Sequence, residues 1–240
     1  MKKYFIFLIL TFPASVYGQT HKISGSENIT VLEANSMEVE NKGGYFFSEI
    51  KEATENYNKG VELPLSKINE KINYYIKAIS YDSNFVEAFD NLGRLYRVQG
   101  EFDKAIECYK SSIKLFPGGR VSHMNLALIY NRQKSYQLAL IEYFSLIEID
   151  SQDPEGYYGA SQIYLNLNEL DESLKFANHA LRLYELGDYD FIEDCHFLIG
   201  LIHYFKNDYT NSRFYILKSI DEGYSKSKIH HQVLLDLKIY

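Results

Sequence analysis

Between residues 86 and 119 the apolar positions fall at helical spacing in two blocks with a glycine between them. In VEAFDNLGRLYRVQGEFDKAIECYKSSIKLFPGG, Phe89, Leu92-Gly93 and Tyr96 mark one face of a first helix. Gly100 follows that helix as a C-terminal breaker, and Glu101-Phe102-Asp103 starts a second helix whose inward positions include Ala105 and Tyr109. Pro117 with Gly118-Gly119 then stops the second helix. The pattern returns 34 residues later in 120–153, where His123, Leu126-Ala127, Tyr130, Ala139 and Tyr143 take the matching places and Ser151 replaces the proline. It returns again in 154–187 with Tyr157, Ala160-Ser161, Tyr164, Ser173 and Ala177. Bulky residues fill the space between paired helices, and small ones let the backbones approach. A single pair cannot bury its own apolar faces, so stacking of neighbours must supply the stability.

At both ends the pattern is degraded. A divergent unit fits 193–226 if five residues are inserted around Leu186 to Ile192; Ile199-Gly200, His203, Ser212 and Ser219 then fall in phase. Upstream, 45–85 reads as a partial unit. Lys67 to Tyr81 looks like a second helix with Tyr75 and Ala78 in phase, but its partner around Tyr45 to Asn58 is out of phase. The closing stretch, 227–240, places Ile229, Val233, Leu234 and Leu237 on one helical face, as a capping helix requires.

These units resemble the tetratricopeptide (TPR) repeat in its period and in the residue types quoted. The resemblance implies an all-α, right-handed solenoid of helix-turn-helix repeats with a C-terminal capping helix. Its concave side would be lined mainly by first helices and would dock a peptide or a helix of a partner protein. The inward-facing sites of the family fall here on Asp90, Arg94 and Arg97; then on Met124, Leu128, Asn131 and Arg132. Further along they fall on Tyr158, Gln162, Leu165 and Asn166, and finally on Phe197, Leu201, Tyr204 and Phe205. The groove would run from charged to aromatic, which suits a segment with a polar half and an apolar half. The alternative for Phe197, Leu201 and Phe205 is packing under the capping helix. The subfamily that clamps a chaperone's C-terminal carboxylate does not fit. Asn125 matches one of its asparagines, but Asp90, Glu155 and Gly159 stand where it needs basic residues.

The N-terminus changes the picture of where the array works. Lys2 and Lys3 precede an apolar run from Tyr4 to Phe12, Pro13 breaks it, and Val16 and Gly18 offer small residues for a signal peptidase. Residues 1–18 thus read as a cleavable export signal and 19–44 as a flexible tether, giving a periplasmic or secreted protein. The apolar run is about half of the 20 residues a membrane span needs, so no stable span is expected after cleavage. Asn28-Ile29-Thr30 in the tether matches a glycosylation acceptor, a triplet that is common by chance.

Composition narrows the partners. Among 240 residues, 25 Lys and Arg stand against 32 Asp and Glu, a formal charge of −7. Removing the signal takes Lys2 and Lys3 and no acid, leaving 23 bases against the same 32 acids, or −9. That balance argues against nucleic acid. Tyr 22, Phe 15 and Trp 0 follow from the repeat, whose bulky wedges are here tyrosine, phenylalanine and histidine.

Candidate chemistry is sparse. The sequence holds no P-loop, GxGxxG, HExxH or GxSxG pattern. Cys108 and Cys195 belong to separate repeats, too far apart for a disulfide, and read as buried thiols. His196 and His203 share a helical face seven residues apart beside Cys195, a spacing compatible with metal, but in register they occupy core positions. His230-His231 points in two directions and reads as solvated. The expectation is an exported, non-enzymatic scaffold or adaptor with no cofactor and no metal. Two other readings stay open: homodimerisation through the C-terminal repeat or capping helix, and an accessory subunit of an envelope enzyme.

Overall fold

The computed structural model describes residues 48–187 and 191–239. The expected signal, 1–18, and tether, 19–44, lie outside the described residues. Eleven α-helices follow in chain order among them: α1 Lys51–Glu62, α2 Ile68–Tyr81, α3 Val86–Gln99, α4 Phe102–Leu115, α5 Arg120–Arg132, α6 Tyr136–Ile149, α7 Pro154–Asn166, α8 Leu170–Gly187, α9 Ile192–Phe205, α10 Tyr209–Asp221 and α11 His231–Asp236. The first ten form five antiparallel pairs, and the second helix of each pair packs on the first helix of the next. Apolar faces are thereby covered on both sides, giving a series of hydrophobic clusters along the stack.

The turn inside each of the four pairs from α3–α4 to α9–α10 obeys one rule. Its central residue adopts a left-handed conformation: Gly100 (φ 78°), Lys134 (φ 59°), Asn168 (φ 61°) and Asn207 (φ 60°). The next residue's N–H then reaches back to a carbonyl five residues earlier: Glu101 to Tyr96, Ser135 to Tyr130, Glu169 to Tyr164 and Asp208 to His203, at 2.8–2.9 Å. This Schellman arrangement satisfies the last carbonyls of α3, α5, α7 and α9. Glycine and asparagine tolerate the conformation readily; Lys134 adopts it because the surrounding pair fixes the turn.

Close approach within a pair depends on small residues. A Cβ on Gly93 would lie 2.9 Å from the Tyr109 ring, and one on Gly200 would lie 2.6 Å from Ile216. In the third repeat two serines take over: Ser161 Oγ donates to the Ser173 carbonyl at 2.8 Å, and Ser173 Oγ donates to the Ser161 carbonyl at 2.9 Å. Both are fully buried, so each hydroxyl must find such a partner.

The two ends depart from the sequence expectation. Upstream, α1 and α2 form a complete pair, with Gly60 against the Tyr75 ring as Gly93 is against Tyr109. The pair is hard to read because Lys71 stands where later repeats carry Ala105 and Ala139. Its buried ammonium is accommodated by the carbonyls of Leu63 and Val61, at 2.6 and 3.2 Å. Downstream, α8 runs 18 residues, absorbing part of the insertion. The cap is not one helix over 227–240: Gly223 (φ 115°) turns the chain, Lys226–Lys228 forms a 3₁₀ turn, and α11 has only 6 residues. Its inward face is Ile229, Val233, Leu237 and Ile239, all buried.

Candidate functional site

The first helices α3, α5, α7 and α9 line up along one face of the stack, the face that the repeat's resemblance makes concave. On α3, Arg94 and Arg97 are half-buried, while Asp90 is 2% exposed and accepts a hydrogen bond from Ser122 of α5. Asp90 therefore joins adjacent repeats and is removed from the open lining. On α5, Met124, Leu128 and Asn131 are half-buried and Arg132 is exposed, its guanidinium 5.1 Å from the centre of the Phe102 ring. Such stacking holds the cation in place without neutralising it. On α7, Tyr158 and Leu165 are half-buried and Asn166 is exposed, but Gln162 is 4% exposed and belongs to the helix interface. Asn166 Nδ2 donates to Asn131 Oδ1 at 3.2 Å, which ties the rims of α5 and α7.

On α9 the expected groove is closed. Phe197 and Leu201 are buried in one cluster with Ile216, Ile229, Val233, Leu237 and Ile239. Phe197 stacks on Tyr224 with ring centres 4.2 Å apart, and the Tyr204 hydroxyl donates to Asp236 at 2.5 Å. Arg213 of α10 donates to the carbonyls of Leu237 and Lys238 and fastens the chain end. Phe197 and Leu201 are corrected from groove to core, and Tyr204 is held at the edge of the cap. Phe205 stays half-buried beside Tyr204, with ring centres 5.6 Å apart. The physical reason is plain: an apolar pair on α9 would be costly to leave in water, and the segment 229–239 covers it.

Charge is unevenly spread along this face. At the α3 end, Arg94 and burial together lower the pKa of the Lys71 ammonium, burial contributing more. At the α7–α9 end two acids lie in the first turns of their helices: Glu155, noted in the sequence only as a departure from the carboxylate clamp, and Asp194, which the sequence reading missed. Burial raises the Glu155 carboxyl, even though the Tyr184 hydroxyl donates to it at 2.8 Å and Arg120 lies nearby. Burial, then the neighbouring Glu193, pushes Asp194 up to about 6 against the pull of Lys228. Helix N-termini favour carboxylates, so desolvation prevails here over the dipole. The signal in the sequence was the shared register of Glu155 and Asp194, which is also that of Glu87.

The remaining candidates sit inside the stack. His196 and His203 both stack on Tyr215, and their Nδ1 atoms face carboxylates, Glu222 at 2.5 Å and Asp208 at 3.0 Å. Among the described residues no group of three or more His, Cys, Asp or Glu is placed to hold a metal. Cys108 and Cys195 are both buried free thiols; burial pushes Cys108 up to about 12 and Cys195 well above its ordinary value. Such thiols are poor nucleophiles. No helix among the described residues is long and apolar enough to cross a membrane.

Comparison with known proteins agrees with this geometry. Family models described as tetratricopeptide repeat match residues 91–156 and 154–185. The chain is similar to the solved MamA (residues 41 to the end) of Desulfovibrio magneticus RS-1, with TM-score 0.65 and 17% identity over 73% of this chain and 98% of that one. It is similar to YrrB, described as a TPR protein with an unusual peptide-binding site, with TM-score 0.62 and 18% identity over 87% of this chain and 99% of that one. It is also 26% identical over 121 residues to the anaphase-promoting complex subunit CDC16 of Saccharomyces cerevisiae, a match covering 50% of this chain and 14% of that protein. The chain thus spans only a small fraction of that relative's length. Residues 91–185 carry tetratricopeptide repeats, and the described chain folds as an all-α solenoid of such helix pairs.

Proposed function

We propose that this chain is a non-catalytic scaffold whose face of α3, α5 and α7 holds an acidic segment of a partner protein. The observation that carries the reading is the contrast along that face. Arg94, Arg97 and Arg132 lie on consecutive first helices, with Met124, Leu128 and Leu165 beside them, while the equivalent surface of α9 is filled by the chain's own end. The half-buried guanidiniums of Arg94 and Arg97 favour carboxylate partners, exposed Arg132 adds its charge, and the half-buried aliphatic residues offer the adjoining apolar contact. Asp194, half-buried at the α7–α9 end and ionised once the pH exceeds about 6, would orient the segment, repelling its acidic half toward α3.

The test uses two labelled 15-residue peptides, one rich in Glu and Leu, the other rich in Lys and Leu. The acidic peptide should bind more tightly, and replacing Arg94, Arg97 and Arg132 with Ala should weaken it at least tenfold, about 1.4 kcal/mol, with helicity unchanged. Equal capture of both peptides, or an unaltered triple variant, would place the ligand elsewhere.

We also propose, from the export signal read in residues 1–18, that this scaffold works outside the cytoplasm, in the periplasm or beyond. N-terminal sequencing of the mature product tests it: a start at Gln19 supports export, and a cytosolic product retaining Met1 overturns it.

A further inference from the structure

In the second repeat the position that other repeats fill with Phe89 or Tyr157 is held by His123, and its surroundings differ from those of a packed aromatic ring. The imidazole is 7% exposed and makes a contact at each nitrogen. Nδ1 lies 2.7 Å from Glu142 Oε2 on α6, and Nε2 lies 3.0 Å from the carbonyl oxygen of Pro117 in the α4–α5 turn. Both partners are acceptors. A neutral imidazole has one N–H and can satisfy only one of them; the imidazolium, with two, satisfies both.

The other charged groups around α5 are engaged elsewhere. Arg120, in the helix's first turn, pairs with Asp153 at the start of α7, and Asp90 of α3 takes the hydroxyl of Ser122. Glu142 is thus the charged group that the structure sets against the ring. The fourth repeat supplies an internal contrast. His196 has the same register and also points Nδ1 at a carboxylate, Glu222, but its buried Nε2 meets no acceptor among the described residues. Two acceptors on one ring are therefore a feature of the second repeat and not of the repeat pattern.

We infer that His123 is a proton-dependent lock between α5 and α6, a buried imidazolium bridging Glu142 and the Pro117 carbonyl. Burial alone would lower its pKa, but the hydrogen bonds to Glu142 and Pro117 and the carboxylate's charge outweigh it, so the net direction is upward. The sign follows. A histidine that binds its proton more tightly when folded contributes stability that is complete below its unfolded value of about 6.5 and is lost as pH rises through the higher folded value. Deprotonation leaves one of the two acceptors without its donor, loosening the helix that carries Met124, Leu128, Asn131 and Arg132.

The test is nitrogen-detected NMR of the histidine rings in the full chain between pH 5 and 9, alongside thermal unfolding. His123 should keep protons on both ring nitrogens at pH 6, with a midpoint above 6.5, and Glu142→Gln should lower that midpoint by more than half a pH unit. Amides of α5 and α6 should exchange faster in the wild type above that midpoint. His123→Phe, which restores the aromatic wedge, should lose less of its melting temperature between pH 6 and pH 8 than the wild type. Should that variant fail to fold, the Glu142→Gln midpoint decides the matter. A single ring proton on His123 at pH 6, or a midpoint indifferent to Glu142→Gln, overturns the inference.

Discussion

The first helices α5 and α9 present the same register to the same side of the stack, yet one is open and the other is closed. On α5, Met124, Leu128 and Asn131 remain half-exposed beside the next repeat. On α9, the equivalent Phe197 and Leu201 lie under Ile229, Val233 and Leu237. Register decides which way a side chain points; the neighbour decides whether that direction is a surface. An uncovered aromatic and aliphatic α9 face would expose a contiguous apolar patch, which a short covering segment removes. A mixed α5 face with Asn131 and Arg132 has no such need.

The largest effect should come from opening the closed end. Val233 is 1% exposed, and Val233→Asp would bury a carboxylate among Phe197, Leu201 and Ile216, costing about 4 kcal/mol locally. Thermal melts should show an early transition confined to α9–α11, with new binding of a hydrophobic dye and an intact melt for the earlier repeats. Loss of the whole array in one step would show that the closed end is not a separable cap.

Next comes packing in the open region. Gly159→Ala would drive a Cβ into the Tyr143 ring, whose side chain is fully buried and cannot move aside. Overpacking of about 3 kcal/mol, offset by about 1 kcal/mol of helix propensity, leaves a net cost near 2 kcal/mol. Urea denaturation measures it; an unchanged midpoint would mean that α6 and α7 pack more loosely than described.

The smallest effect tests electrostatics at the boundary between the regions. Asp194 holds its proton up to about 6, so the stability tied to that proton is complete below the unfolded value of about 3.9 and declines as pH rises through about 6. Asp194→Asn should therefore stabilise the chain at pH 7 by about 1 kcal/mol, discounted for partial exposure, and change little at pH 4. A variant less stable than wild type at pH 7 would assign Asp194 a favourable partner, such as Lys228.

Much of this fold is written in local pattern. The left-handed turn residues 100, 134, 168 and 207 keep one register though only one is glycine, because the flanking apolar positions fix where each turn falls. What stayed hidden depends on distant contacts. Lys71 disguised the first pair by placing an ammonium where a small residue is expected, a substitution made tolerable by carbonyls of Val61 and Leu63 at the end of α1. Arg94, Arg97 and Arg132 were legible because charged residues on an otherwise packed face must reach solvent. Asp90 was not, since its burial rests on Ser122, 32 residues away. Nor was the closure of α9, which depends on a short segment whose own pattern promised a longer helix.

The central claim is that a ligand surface spans α3, α5 and α7 and ends where the chain covers α9. Hydrogen-exchange footprinting of the full chain with the Glu- and Leu-rich peptide addresses it directly. The account predicts slowed exchange in α3, α5 and α7, with α9 and α11 unchanged. Protection centred on α9 and α11, or on the second helices α4, α6 and α8, would contradict it.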